Sequence, residues 1–191
     1  MPIITIFHDK AGFLSQKAQA ISLNVEGLKE AKMIADQLIT TLMPLMPAAG
    51  LAAPQIGISK QVFIYSWDRS IENMEVAINP NIIASDPKTY MSWEACFSTM
   101  QENDTSQAAC LSRSQSVVVE YYNVNGERVK KKLEGFAAKV FQHEYDHLQG
   151  IENIKKAGAE LKSFSTSLEL AAFMKQIKKT DSVTYLKPTA L

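Results

Sequence analysis

Apolar residues recur at helical spacing along residues 25–43, through Leu28, Ala31, Ile34, Ala35, Leu38 and Leu42. Asn24 stands where an N-cap belongs and Pro44 lies just beyond the end, so this stretch predicts an amphipathic helix covering a sheet. The pattern then shortens. Residues 61–65 and 75–79 read as strands joined by a polar loop, and residues 117–123 and 127–133 flank Asn125-Gly126, a hairpin signal. From 136 to 148 the helical period returns through Val140, Phe141, Tyr145 and Leu148, with Gly150 placed to end the helix in a left-handed conformation. A last amphipathic helix is expected within residues 159–177. The order of elements predicts an α+β fold: antiparallel strands forming a bent sheet packed around the central helix at 136–148, with N- and C-terminal helices.

Composition narrows this only slightly. The chain has 191 residues, 46% hydrophobic and 21% charged, which suits a single domain spanning 1–191. Basic and acidic residues balance at 20 each, so no overall field invites nucleic acid or an acidic membrane. The short lysine runs at 130–132, 155–156 and 178–179 read as solvated faces. Two cysteines, Cys96 and Cys110, are too few for a disulfide framework. The N-terminal residues lack the pattern of a signal peptide, and no run approaches the ~20 apolar residues of a membrane span. The expectation is a cytoplasmic protein with reduced thiols, and with neither nucleic acid nor membrane as a partner.

Chemistry concentrates in the central helix. Two of the chain's three histidines, His143 and His147, are four residues apart and would rise from one helix face to grip a single metal ion. Glu144 sits beside the first of them, placed to take a proton from an attacking water. A catalytic metal usually has three protein ligands. The third could be His8, Cys96, Cys110 or a carboxylate such as Glu152, Glu160 or Glu169; a histidine after Gly150, as in metzincins, is absent.

Two further segments stand out: Gly50-Leu51-Ala52-Ala53-Pro54-Gln55-Ile56-Gly57 and Glu94-Ala95-Cys96-Phe97-Ser98. With Gln142-His143-Glu144-Tyr145-Asp146-His147-Leu148-Gln149-Gly150, they resemble, in order and spacing, the three motifs of peptide deformylases. The resemblance runs from about residue 25 to 155 and makes the central helix a metal-binding one. It implies hydrolysis of the N-formyl group from N-formylmethionyl peptides of newly made proteins, with release of formate. Its implied ligands are Cys96, His143 and His147, holding one divalent ion: Fe(II) typically, with Zn(II), Ni(II) or Co(II) able to replace it. It implies Glu144 as acid–base group, with Gln55 and the backbone N–H of Phe97 as oxyanion donors and the Gly50 carbonyl as acceptor for the formamide N–H. Phe136 and Val140 are expected as walls of the slot for the methionine side chain. The partners implied are nascent formylated peptides near the ribosome exit.

The chain departs from the family pattern at Ala48 and Ala95, where glycine is usual, at Phe97 for Leu and at Met100 for Pro, and residues 99–112 form a longer segment. These departures bear on cleft shape. They also raise two rivals: a weakened homologue serving as a peptide- or metal-binding module, and an amidase of different acyl specificity. Glu94 and Arg113 are expected to form a buried pair. Asp146 could orient a ligand histidine or form a salt bridge elsewhere. His8 and Cys110 are expected to be structural, and Met43 to Met46 core filler.

Overall fold

Strand β2 (Val62–Ser66) divides the apolar interior in two, because alternate side chains of a strand point to opposite faces. Val62 and Ile64 pack with Ile34, Leu38 and Leu42 of α1 (Val25–Leu42), whereas Phe63 and Tyr65 pack with Phe136, Ala137, Val140 and Phe141 of α2 (Gly135–Leu148). A helix therefore covers each face of the strand, and all five of its residues are buried. The structure is a computed structural model and describes residues 2–100, 103–180 and 183–191. Gln101 and Glu102, within the long segment after the second motif, lie outside the described residues.

The α+β reading holds, with the strands distributed over two antiparallel sheets. Six strands lie in the order β1 (Gly50–Ala52), β2, β3 (Met74–Ser85), β6 (Ser116–Tyr122), β7 (Arg128–Glu134) and β9 (Thr189–Ala190). The smaller sheet has the order β4 (Thr89–Ala95), β5 (Ser106–Ser114) and β8 (Glu160–Phe164).

Local chemistry explains most boundaries. The Asn24 side chain accepts the Gly27 N–H at 2.9 Å and starts α1. At the end of α2, Gly150 (φ 73°) completes a Schellman turn: Gly150 N–H donates to the His147 carbonyl at 3.2 Å and Ile151 N–H to that of Asp146 at 2.9 Å. In the hairpin, Gly126 (φ 77°) donates its N–H to the Asn123 carbonyl at 3.0 Å, so Gly126 is the left-handed residue closing a three-residue loop.

Three expectations need correction. Strand β3 continues past 79, because Pro80 falls where the register against β6 shifts between Ile78 and Asn81, a bulge that needs no proline donor. The helix expected within 159–177 is α3 (Ser167–Thr180), which runs three residues past that window, and residues 160–164 before it form β8, paired with the edge of β5. Thr166 and Glu169 mark the true start: Glu169 N–H donates to the Thr166 hydroxyl at 3.2 Å, and Ser165 N–H to the Glu169 carboxylate at 2.9 Å. Met43 is 58% exposed, so of Met43 and Met46 only Met46 packs against the core.

Phe141 is the keystone of the α2 side. Its ring lies 4.9 Å from Phe63, 5.3 Å from Tyr65 and 6.1 Å from Tyr121, centroid to centroid. Phe141→Ala should cost about 3–5 kcal/mol, read as a lower urea midpoint at unchanged slope; a loss under about 1 kcal/mol would show the cluster to be redundant.

Candidate metal centre and cleft

Helix α2 supplies His143, Glu144 and His147, and the i, i+4 spacing brings the two imidazole rings to 5.0 Å between centroids. Cys96 follows the last residue of β4 and faces them: its Sγ lies 3.3 Å from His147 Nε2. Ligand atoms of Cys96, His143 and His147 all fall within 4.8 Å of one another. Of the candidates left open for a third ligand, the structure brings Cys96 to the histidines. His8 meets the Thr5 hydroxyl on the N-terminal segment, and Cys110 is buried in β5.

The shell around these groups sets their protonation. His143 Nδ1 lies 2.9 Å from a Glu94 oxygen, a contact that assigns the ring proton to Nδ1 and leaves Nε2 for a ligand role. Burial opposes charge on His143, but hydrogen bonds and charges from Cys96 and Glu94 outweigh it and raise its pKa. Burial, followed by the charge on His143, holds His147 well below the usual imidazole value, in the neutral form that a metal requires. One thiolate, two imidazoles and a carboxylate behind one of them fit a divalent ion.

Glu94 is held in turn. Arg113 grips it with two bonds, Nε to Oε1 at 2.7 Å and Nη2 to Oε2 at 2.8 Å, and sends Nη1 to Asp146 at 2.5 Å. Lys156 reaches the same Asp146 oxygen at 2.6 Å. The expected Glu94–Arg113 pair is therefore present, and Asp146 serves the ion-pair network; Glu94 is the group that bonds a histidine. Burial would raise the Glu94 pKa, but Arg113 and then His143 outweigh it and hold the carboxyl far below its usual range.

The first motif closes the site from the other side. Gln55 is 2% exposed; its Oε1 accepts the Ala52 N–H at 2.8 Å and its Nε2 donates to Cys96 Sγ at 3.4 Å and Ser98 Oγ at 3.2 Å. The N-terminal segment clamps both motifs, with Ile4 N–H on the Gln55 carbonyl at 2.7 Å and Ile6 N–H on that of Ser98 at 2.9 Å. Phe97 opens a 3-10 turn, so its N–H belongs to the donors that helical bonding leaves over.

Glu144 is 4% exposed, and its Oε2 has no partner among the described residues. Desolvation raises its pKa to about 7. Gly50 makes this possible, because a Cβ there would stand 2.6 Å from Glu144 Oε1. The absent side chain thus admits the glutamate as well as leaving strand β1 approachable.

A cleft of about 260 Å³ opens over these groups. Phe136 and Val140 line it, together with Gly50, Gln55, Cys96 and Phe97. The sequence reading missed Trp93, Lys139, Arg69, and Met174 and Lys178 of α3. Spacing alone could have found Lys139, one turn before His143. Its ammonium donates to the Ser92 hydroxyl and, at 2.8 Å, to the Trp93 carbonyl.

The family model for polypeptide deformylase matches residues 1–162. A peptide deformylase of Thermotoga maritima is 37% identical over 149 residues, 78% of this chain and 82% of that protein. The chain belongs to the peptide deformylase family. It is a metallohydrolase that removes the formyl group from N-formylmethionyl peptides. The crystal structure of the Thermotoga maritima peptide deformylase aligns with a TM-score of 0.68 at 34% identity, covering 82% of this chain and 97% of that one. Peptide deformylase 1B of Arabidopsis thaliana, in complex with an inhibitor, aligns at 0.68 and 25% identity over 98% of this chain and 97% of its own. A Met-Ala-Ser-bound class I type b peptide deformylase of Acinetobacter baumannii aligns at 0.68 and 29% identity over 82% and 98%. Family membership and the Cys–His–His group together support one metal ion.

Two of the departures from the deformylase pattern, Ala95 and Ala48, are mild in place. Ala95 is exposed at negative φ, so its position does not need glycine's conformational freedom. Ala48 is buried among Leu51, Ile64 and their neighbours as ordinary packing.

Arg113→Met would leave buried Glu94 without its guanidinium, while Lys156 stays on Asp146, and should cost about 3–5 kcal/mol. Because the Glu94 pKa is depressed by folding, its stabilisation is present above the unfolded carboxylate pKa of ~4.3 and is lost as pH falls through the folded value. Acid unfolding followed by circular dichroism should therefore begin at higher pH in Arg113→Met than in the parent. Coincident acid transitions would contradict the assignment.

Proposed function

We propose that Glu144 is the acid–base group of this deformylase and that Cys96, His143 and His147 are the ligands of its ion. The observation that carries the reading is a buried carboxyl packed against Gly50 and next to His143, one of three residues whose donor atoms converge. A pKa near the working pH suits a group that must both accept and return a proton. A divalent ion bound there supplies Lewis acidity. We favour Fe(II), with Zn(II) or Ni(II) accommodated by the same thiolate and imidazoles.

The chain's own groups divide the remaining work. Strand β1 is the edge of its sheet, so a peptide can lie beside it with the formamide N–H donating to the Gly50 carbonyl. Glu144 takes the proton of the attacking water and returns it to the departing amine nitrogen. Phe97 N–H and Gln55 Nε2 donate to the developing oxyanion. In this geometry Gln55 donates to sulfur and to Ser98, and the bond to sulfur, a weak acceptor, is the one an oxyanion would replace. Phe136 and Val140 flank the methionine side chain. Substrates are nascent chains met near the ribosome exit, in the cytoplasm; no helix among the described residues is long and apolar enough to cross a membrane.

Formate release from formyl-Met-Ala-Ser by anaerobically metallated protein, with acetyl-Met-Ala-Ser as control, tests the reading; absence of release with metal bound would overturn it. Glu144→Gln should keep the metal and lose about 10²–10⁴-fold in kcat. Cys96→Ser should lose metal on dialysis, measured by elemental analysis, because a hydroxyl replaces a soft thiolate. Gly50→Ala should impair turnover by displacing Glu144, while metal content stays at the parent level.

A further inference from the structure

The cleft mouth carries charges that the reaction does not use. Arg69 stands on the loop between β2 and β3 and adopts φ 65°, a left-handed conformation that a long side chain rarely takes. The loop is built to hold it there. Asp68 accepts from Ser66 Oγ at 2.9 Å, Ser70 N–H at 3.0 Å, Ser70 Oγ at 2.8 Å and Asn73 Nδ2 at 2.7 Å, so its carboxylate is turned into the loop. No ion pair joins Arg69 to a carboxylate among the described residues. Its guanidinium lies 4.5 Å over the Phe136 ring and donates one bond, Nη1 to the Pro47 carbonyl at 3.0 Å. Its Nε is buried without a partner among the described residues.

A second cation, Lys178 of α3, lines the same cleft beside Met174. Partial burial and then the Arg69 charge lower its pKa. The carboxylates lining this cleft are Glu94, which is sealed by Arg113, and Glu144, which packs against Gly50. Two like charges lining one opening, with Arg69 in no ion pair among the described residues, leave a place for an anion that would neutralise both.

We propose that Arg69 and Lys178 form a carboxylate subsite at the cleft mouth, which selects formyl-Met peptides carrying Asp or Glu in the two residues after the methionine. The proposal rests on the deformylase reading. Phe136 flanks the methionine slot and carries the guanidinium on its face, so the subsite adjoins the next residues of an extended chain. Arg69 acts here through a fixed, stacked geometry that presents its remaining donors as a fork.

The test compares formyl-Met-Ala-Asp-Ala-amide and formyl-Met-Asp-Ala-Ala-amide with their Asn and Lys counterparts, using the metallated full chain. A side-chain-neutral peptide with a free or amidated C-terminus separates a side-chain carboxylate from a chain end. The Asp peptide should exceed its Asn counterpart by about tenfold in kcat/KM, expressed mainly in KM. The advantage should shrink as salt is raised. Arg69→Gln and Lys178→Gln should each pull the Asp-to-Asn ratio toward one, and Arg69→Lys should restore part of it. Equal KM for Asp, Asn and Lys peptides, or a ratio untouched in both Gln variants, would overturn the subsite. A response confined to the free C-terminus would overturn its assignment to side chains. If no peptide releases formate, the deformylase reading fails instead. Calorimetric binding of the unformylated Asp and Asn peptides then still decides the subsite, by a tighter Asp complex or by none.

Discussion

The rest of the site depends on one guanidinium placed where water cannot reach it. Arg113 is 2% exposed, and an ion so buried costs several kcal/mol unless its donors are met. Glu94 and Asp146 meet them, and Lys156 balances the second carboxylate. The network joins β5, which carries Arg113, to β4, which carries Glu94, and to α2, which carries Asp146. The smaller sheet and the helix beneath it are thereby locked in one relative position. Glu94 then has an oxygen left to bond His143, so the same lock sets the ring that faces the metal site.

Period two along β4 explains why the glutamate and the cysteine are separated by one residue. Glu94 and Cys96 are buried on one face while Ala95 between them is exposed. Locking Glu94 therefore places Cys96 as well, and Asn153 reinforces the register by donating to the Glu94 carbonyl at 3.2 Å. Helix α2 contributes its ligands at i and i+4, and the strand contributes one from across the gap. Neither element is a metal site alone. The geometry arises from packing them together, which is also why Gly50 matters: the third element can close only if it presents no side chain to Glu144.

The sequence made the local parts of this readable. Residues whose spacing is set within one element, such as His143 and His147 or the helix-ending Gly150, stood where the pattern put them. The Glu94–Arg113 pair was legible because a buried acid beside a motif cysteine needs a cation. What escaped were groups placed by tertiary contact alone. Residues 160–164 form a strand because β5 offers an edge, a pairing their own pattern does not show. Lys139, Arg69 and Lys178 reach the cleft from a helix, a loop and a second helix far apart in sequence, and only Lys139, one turn before His143, carried a signal in its spacing. The capping pair Thr166 and Glu169 was a visible signal for where, within the expected window, the last helix starts.

The interior and the mouth of the cleft answer opposite electrostatic demands. Holding Glu144 near 7 requires a dry setting, in which an unpaired charge would be costly and would pull that value away. The inner site accordingly compensates Arg113 and uses shape, backbone donors and rings for recognition. Discrimination by charge is affordable only further out, where solvent softens the cost of a lone cation. Arg69 sits at that boundary: it is stacked on Phe136 and half-buried, whereas Gln55, Cys96 and the catalytic carboxyl are buried. A carboxylate held there would neutralise the mouth without entering the inner site. The chain can thus add a preference for acidic peptides while keeping the proton affinity on which its hydrolysis depends.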